Sequence, residues 1–261
     1  MAAPETVLIT GASSGIGREM AKLFAQDGSK LILAGRATEK MEELAEELRT
    51  GNHVEVTVIT VDLSTPPGAK ELVDQLAAQN FQIDVLINNA GFGQLGRFED
   101  IPLQRHQDML QLNIASLTEL TYRLIPGMQQ RKRGSILNIA STAAFQPGPN
   151  AAVYYASKAF VLSFSEGLYA ENAEHNVWVS CMCPGPTRTG FGSDSEMENT
   201  PVFRFNSMAV EDVARAGHNA VRKRRRLVVP GWLNWLGAWS VRVTARPMVL
   251  WVMKQLQPMK S

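Results

Sequence analysis

The sequence predicts a doubly wound α/β fold, in which helices cover both faces of one parallel sheet of seven strands. Short apolar runs alternate with helical patterns along the chain, as they must when crossover helices join parallel strands. Most of the runs are apolar on both faces, as expected for strands that are covered on both sides. A length of 261 residues favours one domain, which we place at 1–230, followed by an amphipathic helical tail at 231–261.

The strands and helices are assigned from these patterns, and neither a repeat nor a linker divides the chain. The predicted strands are Val7–Thr10, Leu31–Ala34, Val54–Val61, Val85–Asn88, Ser135–Ala140, Val177–Cys183 and Leu227–Val229. The predicted helices are Gly17–Asp27, Glu39–Arg49, Gly68–Gln79, Leu103–Arg131, Val153–His175 and Val210–Arg224.

Composition indicates an ordinary globular protein, with 45% apolar and 20% charged residues. An apolar strand-like run begins at Val7 without a preceding basic region, so a secretory signal is not expected. Cys181 and Cys183 lie two apart in a predicted strand, a spacing poorly suited to a disulfide. We interpret them as reduced core thiols, which favours a cytoplasmic protein.

The charges are divided unevenly along the chain. Up to Asp212 there are 16 basic and 25 acidic residues, whereas ten basic residues and no acidic residue follow. Such a division gives the C-terminal part a positive field, which needs an explanation of its own.

A glycine-rich loop follows the first strand, in the order Thr10-Gly11-Ala12-Ser13-Ser14-Gly15-Ile16-Gly17, and leads into a helix. Only glycine allows the sharp turn and the close backbone approach that a pyrophosphate at a helix N-terminus needs. Because a strand precedes the loop and a helix follows it, the loop predicts a dinucleotide site.

Further motifs follow the glycine loop, whose TGxxxGxG spacing differs from the common dinucleotide fingerprint. They are Asn88-Asn89-Ala90-Gly91, Asn113, Ser141, the YxxxK pair Tyr154 and Lys158, and Pro184-Gly185. Together they resemble the short-chain dehydrogenase/reductase family, over residues 6 to about 230. The resemblance implies a Rossmann-type fold and the NAD(P)-dependent interconversion of a carbonyl and an alcohol.

NADP(H) is the expected cofactor. Arg36 ends the second strand where an NAD enzyme usually carries an acidic residue, and a guanidinium suits a 2′-phosphate. Ser13 is a second candidate donor to that phosphate. Asp62 is open to two interpretations, an adenine contact implied by the resemblance or a helix-capping carboxylate. The remaining cofactor residues implied by the resemblance are Gly11, Ser14, Gly15, Ile16, Gly17, Leu63, Asn89, Ala90, Gly91, Tyr154, Lys158, Pro184, Gly185 and Thr187.

Tyr154 and Lys158 share a helix face because they lie four residues apart. A free phenol has a pKa near 10, and an adjacent ammonium favours the phenolate, so we expect Lys158 to lower the pKa of Tyr154. The resemblance implies that Tyr154 donates the proton, that Ser141 holds the carbonyl oxygen, and that Asn113 holds a water serving Lys158. Tyr155 is expected to pack or to line the substrate site.

The substrate class is read from apolar residues near the expected nicotinamide end. The loop 187–208 carries Phe191, Met197, Phe203 and Phe205, and Phe92 and Phe145 flank the site. An apolar pocket suits a lipophilic ketone, such as a 3-oxoacyl chain or a steroid-like ring. The alternative is a dinucleotide-binding sensor of the same fold without significant turnover.

The tail carries Trp232, Trp235 and Trp239 on one helical face, and Pro247 is expected to kink or end that helix. Two interpretations remain open. The tail covers the substrate or a partner subunit, or it makes peripheral contact with an anionic membrane surface. Nucleic acid is not expected as a partner. The family resemblance implies a homo-oligomer, formed as a dimer through the helices Leu103–Arg131 and Val153–His175.

No metal site is predicted. The four histidines, His53, His106, His175 and His218, show no ligand spacing. We expect His106 and His175 to lie on solvated helix faces.

Overall fold

A computed structural model describes residues 4–189 and 207–256, and within these ranges the chain forms one parallel sheet of seven strands. The strands are β1 Thr6–Thr10, β2 Lys30–Gly35, β3 Val56–Thr60, β4 Val85–Asn88, β5 Gly134–Ile139, β6 Val177–Met182 and β7 Leu227–Val228. Their order across the sheet is β3-β2-β1-β4-β5-β6-β7, which confirms the doubly wound prediction.

The helices connect these strands and continue into the tail. They are α1 Gly15–Gln26, α2 Thr38–Asn52, α3 Gly68–Ala78, α4 Leu103–Leu110, α5 Leu117–Gln130, α6 Ala152–Asn172, α7 Val210–Arg222, α8 Trp232–Val243 and α9 Arg246–Leu256. Short 3-10 turns lie at Thr142–Phe145 and Ala173–His175.

The long helix predicted over Leu103–Arg131 is wrong as a single element. A π-helical segment, Gln111–Ser116, separates α4 from α5 and contains Asn113. Both ends of the Asn113 amide bond the backbone of Phe92, so this side chain is fixed by the neighbouring loop. An inserted π turn is a common way to place a functional side chain, and no periodicity in the sequence reveals it.

Alternate residues of each central strand enter separate cores on the two faces of the sheet. Val7 and Ile9 of β1 pack beneath α1 and α2, whereas Leu8 packs on the other face with residues of α3 and α5. Burial on both sides explains why the strand runs read as continuously apolar. Cys181 and Cys183 are buried free thiols, as expected, with their Sγ atoms 3.8 Å apart.

The strand order reverses between β1 and β4, and this point positions the site. From β1 the chain proceeds outward through β2 and β3, and from β4 it proceeds in the opposite direction. The loops that leave the carboxyl ends of these two strands diverge, and ligands of open α/β sheets bind in the crevice between them.

The tail forms two short helices because Pro247 lies in the first turn of α9, where a missing N–H costs little. Its helix α8 packs through Asn234 and Ala238, while Trp232, Trp235 and Trp239 stay exposed. No helix within the described ranges has both the length and the hydropathy of a membrane span.

His106 does not lie on a solvated face as predicted. Its ring is buried against Phe98, with a 4.8 Å separation of ring centroids, and its Nε2 lies 3.0 Å from the carbonyl oxygen of Phe98. His175 is only partly buried, on the turn before β6.

Candidate active site

A cavity of about 710 Å³ opens at the reversal of strand order and extends across the carboxyl ends of the central strands. Most of the predicted site residues line it: Gly11, Ser13, Ser14, Gly15, Ile16, Arg36, Asp62, Leu63, Asn89, Ala90, Gly91, Ser141, Tyr154, Lys158, Pro184 and Thr187. Gly17, Asn113 and Gly185 are not among its lining residues, and each supports a neighbour that is.

The glycine loop is tied to the loop after β4. The amide of Asn89 donates 3.0 Å hydrogen bonds to the carbonyl oxygens of Thr10 and Gly11. A Cβ on Gly17 would lie 2.5 Å from both the Asn89 amide nitrogen and the Gly11 oxygen, so only glycine allows this approach. Gly11 and Gly15 have φ angles of +66° and +56°, which other residues rarely adopt. The resulting cradle of backbone at the start of α1 fits a pyrophosphate.

One end of the cavity carries two cations. The side chain of Arg36 is 70% exposed and its Nη1 lies 3.9 Å from Asp62 Oδ2. Lys40, in the first turns of α2, lines the same end, and the sequence analysis missed it. Two cations beside the end of β2 fit a 2′-phosphate better than a bare ribose hydroxyl.

Asp62 does not cap a helix, since α3 begins at Gly68 with Pro67 as its N-cap, and its contact with adenine stays a prediction. It lines the cavity, and its Oδ1 accepts hydrogen bonds from the backbone N–H and the hydroxyl of Ser64 at 2.9 and 2.6 Å. Partial burial opposes ionisation, but these bonds and the Arg36 charge hold the pKa of Asp62 below its ordinary value. The carboxylate therefore stays ionised at neutral pH and can accept hydrogen bonds.

Tyr154 meets Ser141 where α6 crosses the end of β5. The two side chains are hydrogen-bonded, and the Ser141 Oγ also accepts the N–H of Ala143 at 3.1 Å. Burial raises the pKa of Tyr154 to about 12, although the bond with Ser141 opposes the rise. The predicted lowering of this pKa is therefore wrong for the chain alone, because loss of water around the phenolate outweighs the hydrogen bond with Ser141.

Lys158 is buried one helical turn beyond Tyr154. Its Nζ donates a 2.9 Å hydrogen bond to the carbonyl oxygen of Ile139 and lies 5.9 Å from the centre of the Tyr154 ring. Burial lowers the pKa of Lys158 to about 8, so most of this side chain is still protonated at neutral pH, but by a smaller margin than an exposed lysine.

Asn113 stands behind the loop that follows β4. Its Nδ2 donates to Phe92 O at 2.9 Å and to Ser157 Oγ at 3.1 Å, and its Oδ1 accepts the N–H of Phe92 at 3.2 Å. A Cβ on Gly91 would lie 3.0 Å from this Oδ1 and 3.4 Å from Lys158 Nζ. The absence of a Cβ at Gly91 thus leaves room for both polar groups beside this loop.

Pro184, Gly185 and Thr187 lie in the loop that leaves the carboxyl end of β6. Thr187 lines the cavity, and its hydroxyl donates a 3.0 Å hydrogen bond to the carbonyl oxygen of Gly185. A Cβ on Gly185 would lie 2.4 Å from the side chain of Asn234, so this glycine is one point where α8 of the tail contacts the region around the cavity. The sequence motif does not reveal that second use of Gly185.

Arg105 is a cavity residue that sequence reasoning missed. It lies on α4, its guanidinium carbon is 4.0 Å from the centre of the Phe92 ring, and its Nε lies 3.5 Å from Gln94 Oε1. Nothing in the sequence distinguishes it from a solvated helix arginine. Its position becomes visible only when the loop after β4 folds over α4.

The apolar residues expected around the substrate separate into two groups. Phe92 lines the cavity, whereas Phe145 packs with a buried cluster beside it. Tyr155 packs against Gly148, as expected of a structural neighbour. The predicted pocket residues Phe191, Met197, Phe203 and Phe205 lie outside the described residues.

Within the described ranges, no group of three histidine, cysteine, aspartate or glutamate side chains is arranged to hold a metal ion.

Comparison with known proteins agrees with this geometry. The sequence pattern described as short chain dehydrogenase matches residues 5–199. A very-long-chain 3-oxoacyl-CoA reductase from Anas platyrhynchos is 37% identical over 183 residues, which are 68% of this chain but only 58% of that protein. Sulfoacetaldehyde reductase 2 from Chromohalobacter salexigens is 34% identical over 217 residues, 80% of this chain and 85% of that protein.

Among solved structures, a short-chain dehydrogenase from Sphingobium yanoikuyae in complex with NADPH is similar over nearly its whole length. The TM-score is 0.83 at 32% identity, and the alignment covers 98% of this chain and 99% of that chain. The similarity therefore includes the tail as well as the sheet.

Proposed function

This chain belongs to the short-chain dehydrogenase family, and from that premise we propose that it is an NADPH-dependent reductase of lipophilic ketones. The observation that carries the proposal is the hydrogen bond between Tyr154 and Ser141 at the cavity wall, with Lys158 one helical turn away. We propose residues 1–230 as the catalytic domain and 231–261 as a tail packed on it.

The cofactor fits the cavity in both shape and charge. The backbone cradle at Gly11 and Gly15 would hold the pyrophosphate, and Arg36 with Lys40 would hold a 2′-phosphate. The relative solved with NADPH supports this choice over NAD. When bound, NADPH supplies the hydride of the reaction.

The proton has a separate route. The high pKa of Tyr154 keeps its hydroxyl protonated at neutral pH, as a proton donor to a carbonyl oxygen must be. Ser141, already hydrogen-bonded to that hydroxyl, can orient the carbonyl oxygen and stabilise the negative charge that develops there. The Lys158 ammonium then stabilises the tyrosinate that remains, and Asn113 holds the loop whose Gly91 lies beside the Lys158 ammonium.

A lipophilic substrate is supported by the surroundings of Tyr154. An apolar cluster joins Tyr154 and Tyr155 to Met109 of α4 and to Val249 and Met253 of α9. The substrate of the similar very-long-chain 3-oxoacyl-CoA reductase carries an apolar chain. A binding protein without turnover, which is the alternative, would not need Tyr154, Ser141 and Lys158 to lie together at the cavity.

A second substrate class is favoured by Arg105. A cation at the cavity wall can recognise a carboxylate, sulfonate or phosphate on the substrate. The similar sulfoacetaldehyde reductase, whose substrate carries a sulfonate, makes small anionic carbonyl compounds a specific candidate.

Steady-state reduction of a matched substrate panel tests the proposal. NADPH consumption is followed by absorbance with neutral lipophilic ketones, their anionic analogues and small neutral ketones. We expect turnover of at least one apolar ketone, with NADH a weaker cofactor. Tight NADPH binding without turnover of any member would instead support the sensor.

Arg105→Ala separates the two substrate classes. Loss of a charge-assisted hydrogen bond of about 1.5–3 kcal/mol should reduce kcat/KM for anionic carbonyl substrates about 10- to 150-fold, and leave neutral ketones nearly unchanged. Arg97→Ala, on the preceding loop and not among the cavity residues, is the matched control. Equal losses for both classes would mean that Arg105 only supports Phe92.

A further inference from the structure

The outer face of α8, defined by Trp232, Trp235, Leu236, Trp239 and Val243, is apolar and exposed. The three tryptophans are 73%, 57% and 50% exposed, and Leu236 and Val243 are exposed with them. Residues at this spacing share one side of a helix. Monomeric proteins rarely present so much contiguous apolar surface without a binding role.

The opposite face of α8 packs on the rest of the chain, so the tryptophans point away from it. Asn234 is buried, donates a 2.8 Å hydrogen bond to the carbonyl oxygen of Pro230, and packs on Gly185. Ala238 is buried on the same side. The exposed tryptophans are therefore a fixed feature of the folded chain.

The surroundings of this face are positively charged. After Asp212 the sequence has ten basic and no acidic residues. Arg242 at the end of α8 and Arg246 and Lys254 on α9 are exposed. Each of these three lacks an ion pair with any other residue that the structure describes, so their charge is available to a partner.

We propose that the outer face of α8 docks on the surface of an anionic lipid bilayer. Tryptophan rings favour the interface between headgroups and acyl chains, and adjacent lysine and arginine side chains are attracted to anionic headgroups. A second copy of the chain docked through the same face would bring two sets of uncompensated cations together. A bilayer of anionic lipid neutralises the same charges.

Docking there places the membrane beside the substrate end of the cavity. The inner residues Val249 and Met253 of α9 belong to the apolar cluster that contains Tyr154. The tail therefore contacts the catalytic region on one side and the bilayer on the other. The docking itself is independent of the proposed reaction, and its test needs no substrate.

Co-sedimentation of the full chain with vesicles tests the proposal. We expect binding to vesicles of phosphatidylcholine with phosphatidylserine at low salt, much weaker binding to pure phosphatidylcholine, and release as ionic strength rises. The double variant Trp235→Ser/Trp239→Ser should bind the anionic vesicles about 10- to 100-fold more weakly, since affinity scales with buried apolar area.

The control is Trp235→Phe/Trp239→Phe, which alters the same positions but keeps aromatic apolar side chains. It should retain most of the binding, and both variants should bind NADPH like the parent chain. Absence of binding to anionic vesicles at low salt would overturn the proposal, as would equal binding by the serine and phenylalanine variants. Light scattering without lipid tests whether a second copy covers this face instead. A change of oligomeric state in the serine variant alone would assign the face to a second copy.

The charge requirement is tested separately with Arg242→Gln/Arg246→Gln. Each basic residue near an anionic surface contributes about 1 kcal/mol, so the double variant should bind roughly 30-fold more weakly at low salt. Its affinity should also depend less on salt. An unchanged salt dependence would contradict an electrostatic contact of this face with the bilayer.

Discussion

Tyr154→Phe is expected to reduce the rate of ketone reduction about 10²- to 10⁴-fold while leaving NADPH binding nearly intact. The ring keeps its place in the apolar cluster with Met109 and Met253, and only the hydroxyl that meets Ser141 is lost. Because the proton donor alone is removed, the loss should fall on kcat. Single-turnover measurement of NADPH oxidation reports the chemical step directly.

Tyr155→Phe is the matched control for the loss of a phenolic hydroxyl. Tyr155 is the next residue of α6, is equally buried, and packs against Gly148 without lining the cavity. Its variant should keep a rate within a few-fold of the parent chain. If Tyr154→Phe retained more than about a tenth of the single-turnover rate, Tyr154 would not be the proton donor.

The sheet and its crevice were predictable because their signals are local. A strand buried on both faces must be apolar throughout, so β1 and β2 are recognisable without any tertiary information. The loop between β1 and α1 is recognisable because the conformations of Gly11 and Gly15 exclude most other residues. The family motifs then supplied Ser141, Tyr154 and Lys158, which the fold brings to one wall of the cavity.

The missed features depend on contacts between distant segments. Arg105 and Lys40 resemble any solvated helix cations in the sequence, and only the folded loops place them in the cavity. Gly185 belongs to a known motif, but its contact with Asn234 appears only when the tail packs. The pKa of Tyr154 was predicted in the wrong direction because residue spacing reports a nearby charge and not the loss of solvent around it.

Arg36→Ala is expected to weaken NADPH binding about 10- to 150-fold and NADH binding little. The guanidinium at the end of β2 lies in the cavity and is 70% exposed, so it is available to a phosphate that NADH lacks. A charge-assisted hydrogen bond of roughly 1.5–3 kcal/mol sets this range. Lys40 remains at the same end of the cavity, so the single variant should lie towards the lower limit.

We would measure the affinities of NADPH and NADH for Arg36→Ala, Lys40→Ala and the double variant. This double-mutant cycle separates the contribution of each cation to cofactor binding. If both contact the 2′-phosphate, the double variant should lose more NADPH affinity than the sum of the two single losses, because in each single variant the remaining cation still neutralises part of the phosphate charge. Arg36→Lys is the control: it keeps the charge but not the planar fork, and should recover part of the preference. The NADH affinities also show whether the ion pair between Arg36 and Asp62 matters, since breaking it affects both cofactors alike. Equal losses for NADPH and NADH would leave Arg36 a structural role beside Asp62 and refute its selection of the 2′-phosphate.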